Sequence, residues 1–106
     1  MKLWLDDKCE TDTNRLTPPG WVGVKTALQA CRILARVGVT EVSMDHDLGP
    51  KSAGTGYLVA KFIERRAFEN KIAPLIWNCH SDNPEGKKNI IVAMNSTERF
   101  WQNHGN

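Results

Sequence analysis

Short apolar runs that stop abruptly at acids or histidine, with helical segments between them, constrain this chain more than any other feature. Lys2 to Leu5 stops at Asp6-Asp7, and Val39 to Met44 stops at Asp45-His46-Asp47-Leu48-Gly49. Ala73 to Trp77 stops at Asn78-Cys79-His80-Ser81, and Trp21 to Val24 forms one further short strand. Between them, Leu28, Cys31, Ile33, Leu34 and Val37 recur at helical spacing over residues 27–37, closed by Gly38. Leu58, Val59, Phe62 and Ile63 mark a second helix over 55–69, opened by the turn Gly54-Thr55-Gly56 with Thr55 as its cap. That turn lacks the full GxGxxG pattern of a dinucleotide fingerprint. Residues 8–20 are polar and without apolar period, and read as a loop. Asn83-Pro84-Glu85-Gly86 opens a last helix carrying Ile90, Ile91 and Met94; the weak helix formers Asn95-Ser96-Thr97 predict a break before Phe100-Trp101. Strands alternating with helices are the mark of an α/β domain with a parallel sheet and crossover helices.

A chain of 106 residues suits one domain, with a core that needs no disulfide or structural metal. The three cysteines, Cys9, Cys31 and Cys79, are odd in number and never in CxxC spacing, which argues against a disulfide framework or a thiolate zinc site. They read as reduced and the protein as cytoplasmic. No apolar run approaches the roughly 20 residues of a membrane span, and MKLWLDDK is no signal peptide. A net charge of +2 neither demands nor excludes a polyanionic partner.

Parallel strands put all their carboxyl ends on one edge, where ligands of open α/β sheets bind. Asp6, Asp7, Asp45, His46, Asp47, His80 and Ser81 are therefore expected to converge. Asp6 and Asp7, with Asp45 or Asp47, make a carboxylate cluster that needs a cation or a proton to neutralise it. Oxygen ligands favour Mg²⁺, or Mn²⁺, and such an ion polarises a phosphoryl oxygen or activates water. The structural alternative is that these are loop and capping acids, Asp47 merely ordering its own loop. His46 and His80 are suited to general acid–base work on one phosphate, protonating a leaving oxygen and activating water, with Asp45 as the catalytic carboxylate beside them. Their structural alternative is a hydrogen bond to a neighbouring carboxylate or backbone group. Ser81 and Asn83 are candidates for donating to a phosphate, as are the first amides of the last helix, or else they cap that helix. Lys87 and Lys88 face either the site or solvent. Trp4 and Trp77 lie within strands and read as core, Trp21 is ambiguous, and His104 reads as exposed.

LWLDD, DHDLG, GTGY and HSDNPEGKKN, in this order over roughly residues 2–95, resemble the cyclic-phosphate-processing receiver family, a divergent branch of two-component receivers. The resemblance implies a receiver-like (flavodoxin-like) parallel sheet of about four strands in order 2-1-3-4. It also implies work on cyclic phosphates, such as 2′,3′-cyclic RNA or nucleotide ends, as a phosphoesterase. Asp45 takes the place of the receiver phosphoacceptor, so a degenerate signalling receiver is the competing reading, and a non-catalytic phosphate- or nucleotide-binding module is the third. Two imidazoles favour the first, because a phosphoacceptor needs a carboxylate, a metal and a lysine. Against an ordinary receiver, the helix after the first strand is replaced by a loop, and the fifth strand with its lysine and the fifth helix are absent; Lys87 or Lys88 is the candidate substitute for that lysine.

Right-handed crossovers place the helices 27–37 and 55–69 on one face of the sheet. The other face loses both of its ordinary helices, although the strands are apolar on both sides, Leu3 and Leu5 alternating with Trp4, and Leu75 and Trp77 with Ile76. The sequence therefore predicts a cover: loop 8–20 with Phe100 and Trp101, or a second copy of the chain in a homodimer.

Overall fold

The computed structural model describes residues 1–104. Strands β1 (Lys2–Leu5), β2 (Trp21–Val24), β3 (Glu41–Met44) and β4 (Ile76–Cys79) form one sheet in the order β2-β1-β3-β4, and every pairing is parallel. Helix α1 (Ala27–Arg36) carries the chain from β2 to β3, and α2 (Gly56–Phe68) from β3 to β4; α3 (Pro84–His104) follows β4. The fold is the expected receiver-like α/β arrangement, with no helix between β1 and β2 and no fifth strand among the described residues.

In parallel pairing, register partners share a face. Leu3, Leu5, Val42 and Met44 are each 0 % exposed and meet Val59, Ile63, Ile90 and Met94 from the helices in a single core. Burying each such side chain stabilises the fold by about 1.5–3 kcal/mol. This is what holds α1, α2 and α3 side by side against one face of the sheet. Caps set the helix starts. Thr26 and Gln29 form a reciprocal capping box on α1, at 3.2 Å each way. Thr55 accepts from the Leu58 amide on α2, as its place after Gly54 predicts.

Three expectations are corrected. The last strand is Ile76–Cys79, not 73–77. Strand β3 begins at Glu41, so residues 73–75 have nothing to pair with, and Leu75 turns into the core instead. The final helix does not break: α3 runs unbroken to His104. Thr97 is wholly buried and its hydroxyl donates back to the Ala93 carbonyl at 2.9 Å, so tertiary packing overrides weak local propensity. In consequence Phe100 and Trp101 do not cross to the open face. They stay on the helical side, Phe100 against Phe68 and Trp101 in the core.

The open face carries Lys2, Trp4, Trp21, Glu41, Ser43, Ile76 and Asn78. Loop 8–20 covers part of it. Cys9 is buried, the Arg15 carbonyl accepts from the Trp4 indole at 3.2 Å, and Thr17 lies where a Cβ on Gly23 would be. Ile76, 65 % exposed, is the large apolar side chain left bare there.

Candidate functional site

β1, β3 and β4 end side by side, and each end delivers a polar side chain to the same edge. The chain leaves β1 into Asp6 and Asp7. The Asp6 amide still donates to Val24 and the Asp45 amide to Leu5, so both residues are held by the last rungs of the sheet. Asp6 is 0 % and Asp45 3 % exposed. One oxygen from each of Asp6, Asp7 and Asp45 lies within 4.8 Å of the others. Asp45 thus joins the distant Asp6-Asp7 pair in one cluster, because parallel pairing aligns Leu5 with Met44.

Three carboxylates so placed repel one another. The residue that offsets this is Arg15, from loop 8–20. Its Nε donates to Asp6 Oδ2 at 2.8 Å, and its Nη2 faces both Asp7 Oδ1, at 3.4 Å, and Asp45 Oδ2. The hydrogen bond to Asp6 raises the Arg15 pKa further, against a smaller opposing effect of burial. Burial raises the Asp45 pKa; the charges of Arg15 and His80 and the Ser81 hydroxyl pull it down but do not cancel the effect. From the sequence, residues 8–20 read as a polar loop, which does not single out Arg15. The available signal was a single arginine shortly after an Asp-Asp pair at a strand end, since buried carboxylates need a cation.

His80 follows β4 and joins the cluster. Its Nε2 lies 3.0 Å from Asp6 Oδ2 and its Nδ1 2.7 Å from Ser43 Oγ. Its ring stacks on Trp4, with centroids 3.9 Å apart and planes 5° apart. Burial lowers its pKa, more than the neighbouring Asp6 and Asp45 carboxylates raise it. Trp4, read from the sequence as core, is therefore half-buried under the site, and Ser43 is a site residue that an EVSM strand did not reveal.

His46, Asp47 and Asn83 form a second group beside the first. His46 Nδ1 is 2.8 Å from Asp47 Oδ1, and the Asn83 amide reaches both Asp47 oxygens at 3.2 Å. These bonds, that of His46 foremost, lower the Asp47 pKa. Asp47 is exposed and stands outside the carboxylate group of three. Asn83 caps α3, its Oδ1 accepting from the Gly86 amide at 3.0 Å, while Ser81 Oγ accepts from the Asn83 amide at 3.1 Å. Gly86 lies flat against His46: a Cβ there would come within 2.2 Å of the ring. Gly56 is equally tight on the other side, where a Cβ would meet the Asp45 carbonyl oxygen at 2.0 Å. Lys87 and Lys88 are exposed on the first turns of α3, with the Lys87 charge felt at Cys79.

Residues 1–96 match the family described as the cyclic-phosphate processing receiver domain. The chain belongs to that family. No curated protein and no solved structure matches the chain. Asp45 stands at the carboxyl edge of the sheet, the edge at which open α/β folds take their ligands. None of the helices among the described residues is long and apolar enough to cross a membrane.

Proposed function

We propose that this receiver domain is a metal-assisted phosphoesterase that opens cyclic phosphates, with 2′,3′-cyclic nucleotide or RNA ends as the substrate class. The observation that carries the reading is the meeting of Asp6, Asp7 and Asp45 within 4.8 Å, with His80 bonded to Asp6. The donor set fits Mg²⁺ or Mn²⁺: all ligands are hard oxygens. Against three carboxylates Arg15 supplies one positive charge, so a divalent cation balances what remains. A bound ion of this kind polarises a phosphoryl oxygen and activates water.

The chain's own residues supply the rest. Arg15 gives Nε and Nη2 to the three carboxylates, and Nη1 is the nitrogen left to meet a phosphate oxygen. The Ser81 hydroxyl lies beside Asp45 as a further polar group, whereas the Asn83 and Gly86 amides are already taken by the Ser81 and Asn83 side chains. His46 is oriented by Asp47 through Nδ1, which leaves Nε2 to move a proton. In the reaction a water oxygen bonds to phosphorus and one ring P–O bond breaks. The water gives up a proton, and the departing sugar oxygen takes one to leave as a hydroxyl. Lys87 and Lys88 add exposed positive charge on the first turns of α3.

The test is incubation with Mg²⁺ or Mn²⁺ and a panel of 2′,3′-cyclic nucleotides, and separately with acetyl phosphate. Ring opening that is lost in His46→Ala supports the proposal. A stable aspartyl phosphate at Asp45 assigns a signalling receiver instead, and binding without either reaction assigns a binding module. The open sheet face, with Ile76 bare, also supports pairing with a second copy of the chain; sedimentation that stays monomeric at high concentration contradicts this.

A further inference from the structure

We propose that His80 is not the proton shuttle of this site but a positioning residue, locked by Ser43 into the tautomer that donates from Nε2 to Asp6. The inference rests on Asp6 being a cation ligand, as in the reading above. The geometry fixes the proton. Asp6 Oδ2, 3.0 Å from Nε2, is a carboxylate oxygen that already accepts from Arg15, so it accepts from the ring as well. Nε2 must then carry hydrogen. With that hydrogen on Nε2, the neutral ring presents its lone pair at Nδ1. Ser43 Oγ, 2.7 Å away and itself 3 % exposed, donates its hydroxyl hydrogen to that lone pair. Both ring nitrogens are thereby committed to the protein.

Trp4 fixes the remaining freedom by covering one face of the ring at 3.9 Å. An imidazole with both nitrogens bonded and one face covered is poorly placed to exchange protons with a substrate. It is well placed to hold Asp6 Oδ2 in one orientation, as outer partners of metal ligands do. His46 differs on each count: one nitrogen is committed, and the ring packs on a glycine at the mouth of α3. The two histidines thus have separate duties, and Ser43 becomes part of the site through His80.

Glutamine separates the two roles, because its amide donates from near the Nε2 position but cannot relay a proton. Three measurements are made on the full chain: ring ¹⁵N shifts of His80, Mn²⁺ affinity, and hydrolysis of a 2′,3′-cyclic nucleotide. The wild-type ring is expected as the Nε2–H tautomer at neutral pH, with or without Mn²⁺. His80→Ala is expected to weaken Mn²⁺ binding roughly 10–100-fold, the usual effect of losing such a partner. His80→Gln is expected to recover most of that affinity and to hydrolyse substrate better than His80→Ala. Ser43→Ala is expected to weaken Mn²⁺ binding in the same direction. An Nδ1–H tautomer overturns the proposal. So does a His80→Gln protein that binds Mn²⁺ normally yet turns over no better than His80→Ala, or a His80→Ala protein with wild-type affinity. If the domain hydrolyses no cyclic phosphate, the substrate reading fails, while tautomer and Mn²⁺ affinity still decide the role of His80. If it binds no Mn²⁺, the ligand role of Asp6 and this proposal fall together.

Discussion

Arg15 holds two buried carboxylates and one partly exposed one, and its removal exposes what the carboxylates cost. Breaking a buried ion pair by deleting one partner is strongly destabilising, because the other charge stays behind. Arg15→Ala is expected to lower the stability of the metal-free protein by about 2–3 kcal/mol, less than for a fully buried pair because the guanidinium is partly exposed. Chemical denaturation checks this, and added Mg²⁺ is expected to restore more stability to the variant than to wild type. Asp45 gives the opposite sign. Its pKa is raised in the folded state, so the folded protein holds that proton more tightly than the unfolded chain. Stability is therefore lost as pH rises from the ordinary carboxylate range through the folded pKa. Asp45→Asn removes this penalty: without metal it is expected to melt above wild type at pH 7, by a margin that shrinks as the pH is lowered. His80 acts in the other direction. Its pKa is lowered on folding, so its contribution is complete above about pH 6.5, the ordinary histidine value, and declines as the pH falls below it. At this scale the sequence told much about Asp6, Asp7 and Asp45, because acids at strand ends announce themselves. It told little about Arg15, Ser43 and Trp4, whose roles depend on a loop path and on which side of a strand faces the site.

Helix α3 brings Asn83, Gly86 and the His46 contact together within one turn, so its start fixes the His46–Asp47–Asn83 group as well as the helix. Gly86→Ala places a methyl in the His46 ring. Alanine is the better helix former by about 1 kcal/mol, which offsets part of the strain. The variant is expected to keep its thermal stability within a few degrees but to lose at least tenfold in turnover, as His46 is pushed from Asp47. A melting curve and a cyclic-nucleotide assay check the two halves separately. Most elements were legible from apolar period and capping residues alone: β1, β2, α1 and α2 fall within a residue or so of where Leu3, Trp21, Thr26 and Thr55 place them. The errors lie where a neighbour decides. Strand β4 starts late because β3 starts late, and α3 continues through Asn95-Ser96-Thr97 because Thr97 is buried against the core.

Among the described residues the receiver fold is half-clad: three α-helices guard one face of a four-stranded sheet, and a loop rather than a helix crosses part of the other. That loop, which replaces the helix after β1, is what carries Arg15 to the carboxylates. The departure from an ordinary receiver and the chemistry of the site are thus one feature. A cation that binds only the folded cluster stabilises the fold by mass action, by about 2.7 kcal/mol at a hundred times its Kd. The most direct measurement is a Mn²⁺ titration of the full chain, followed by the paramagnetic signal of the free ion, for wild type and Asp45→Asn. The account predicts one saturable site per chain that Asp45→Asn weakens at least tenfold. No saturable binding, or a site indifferent to Asp45, would contradict it.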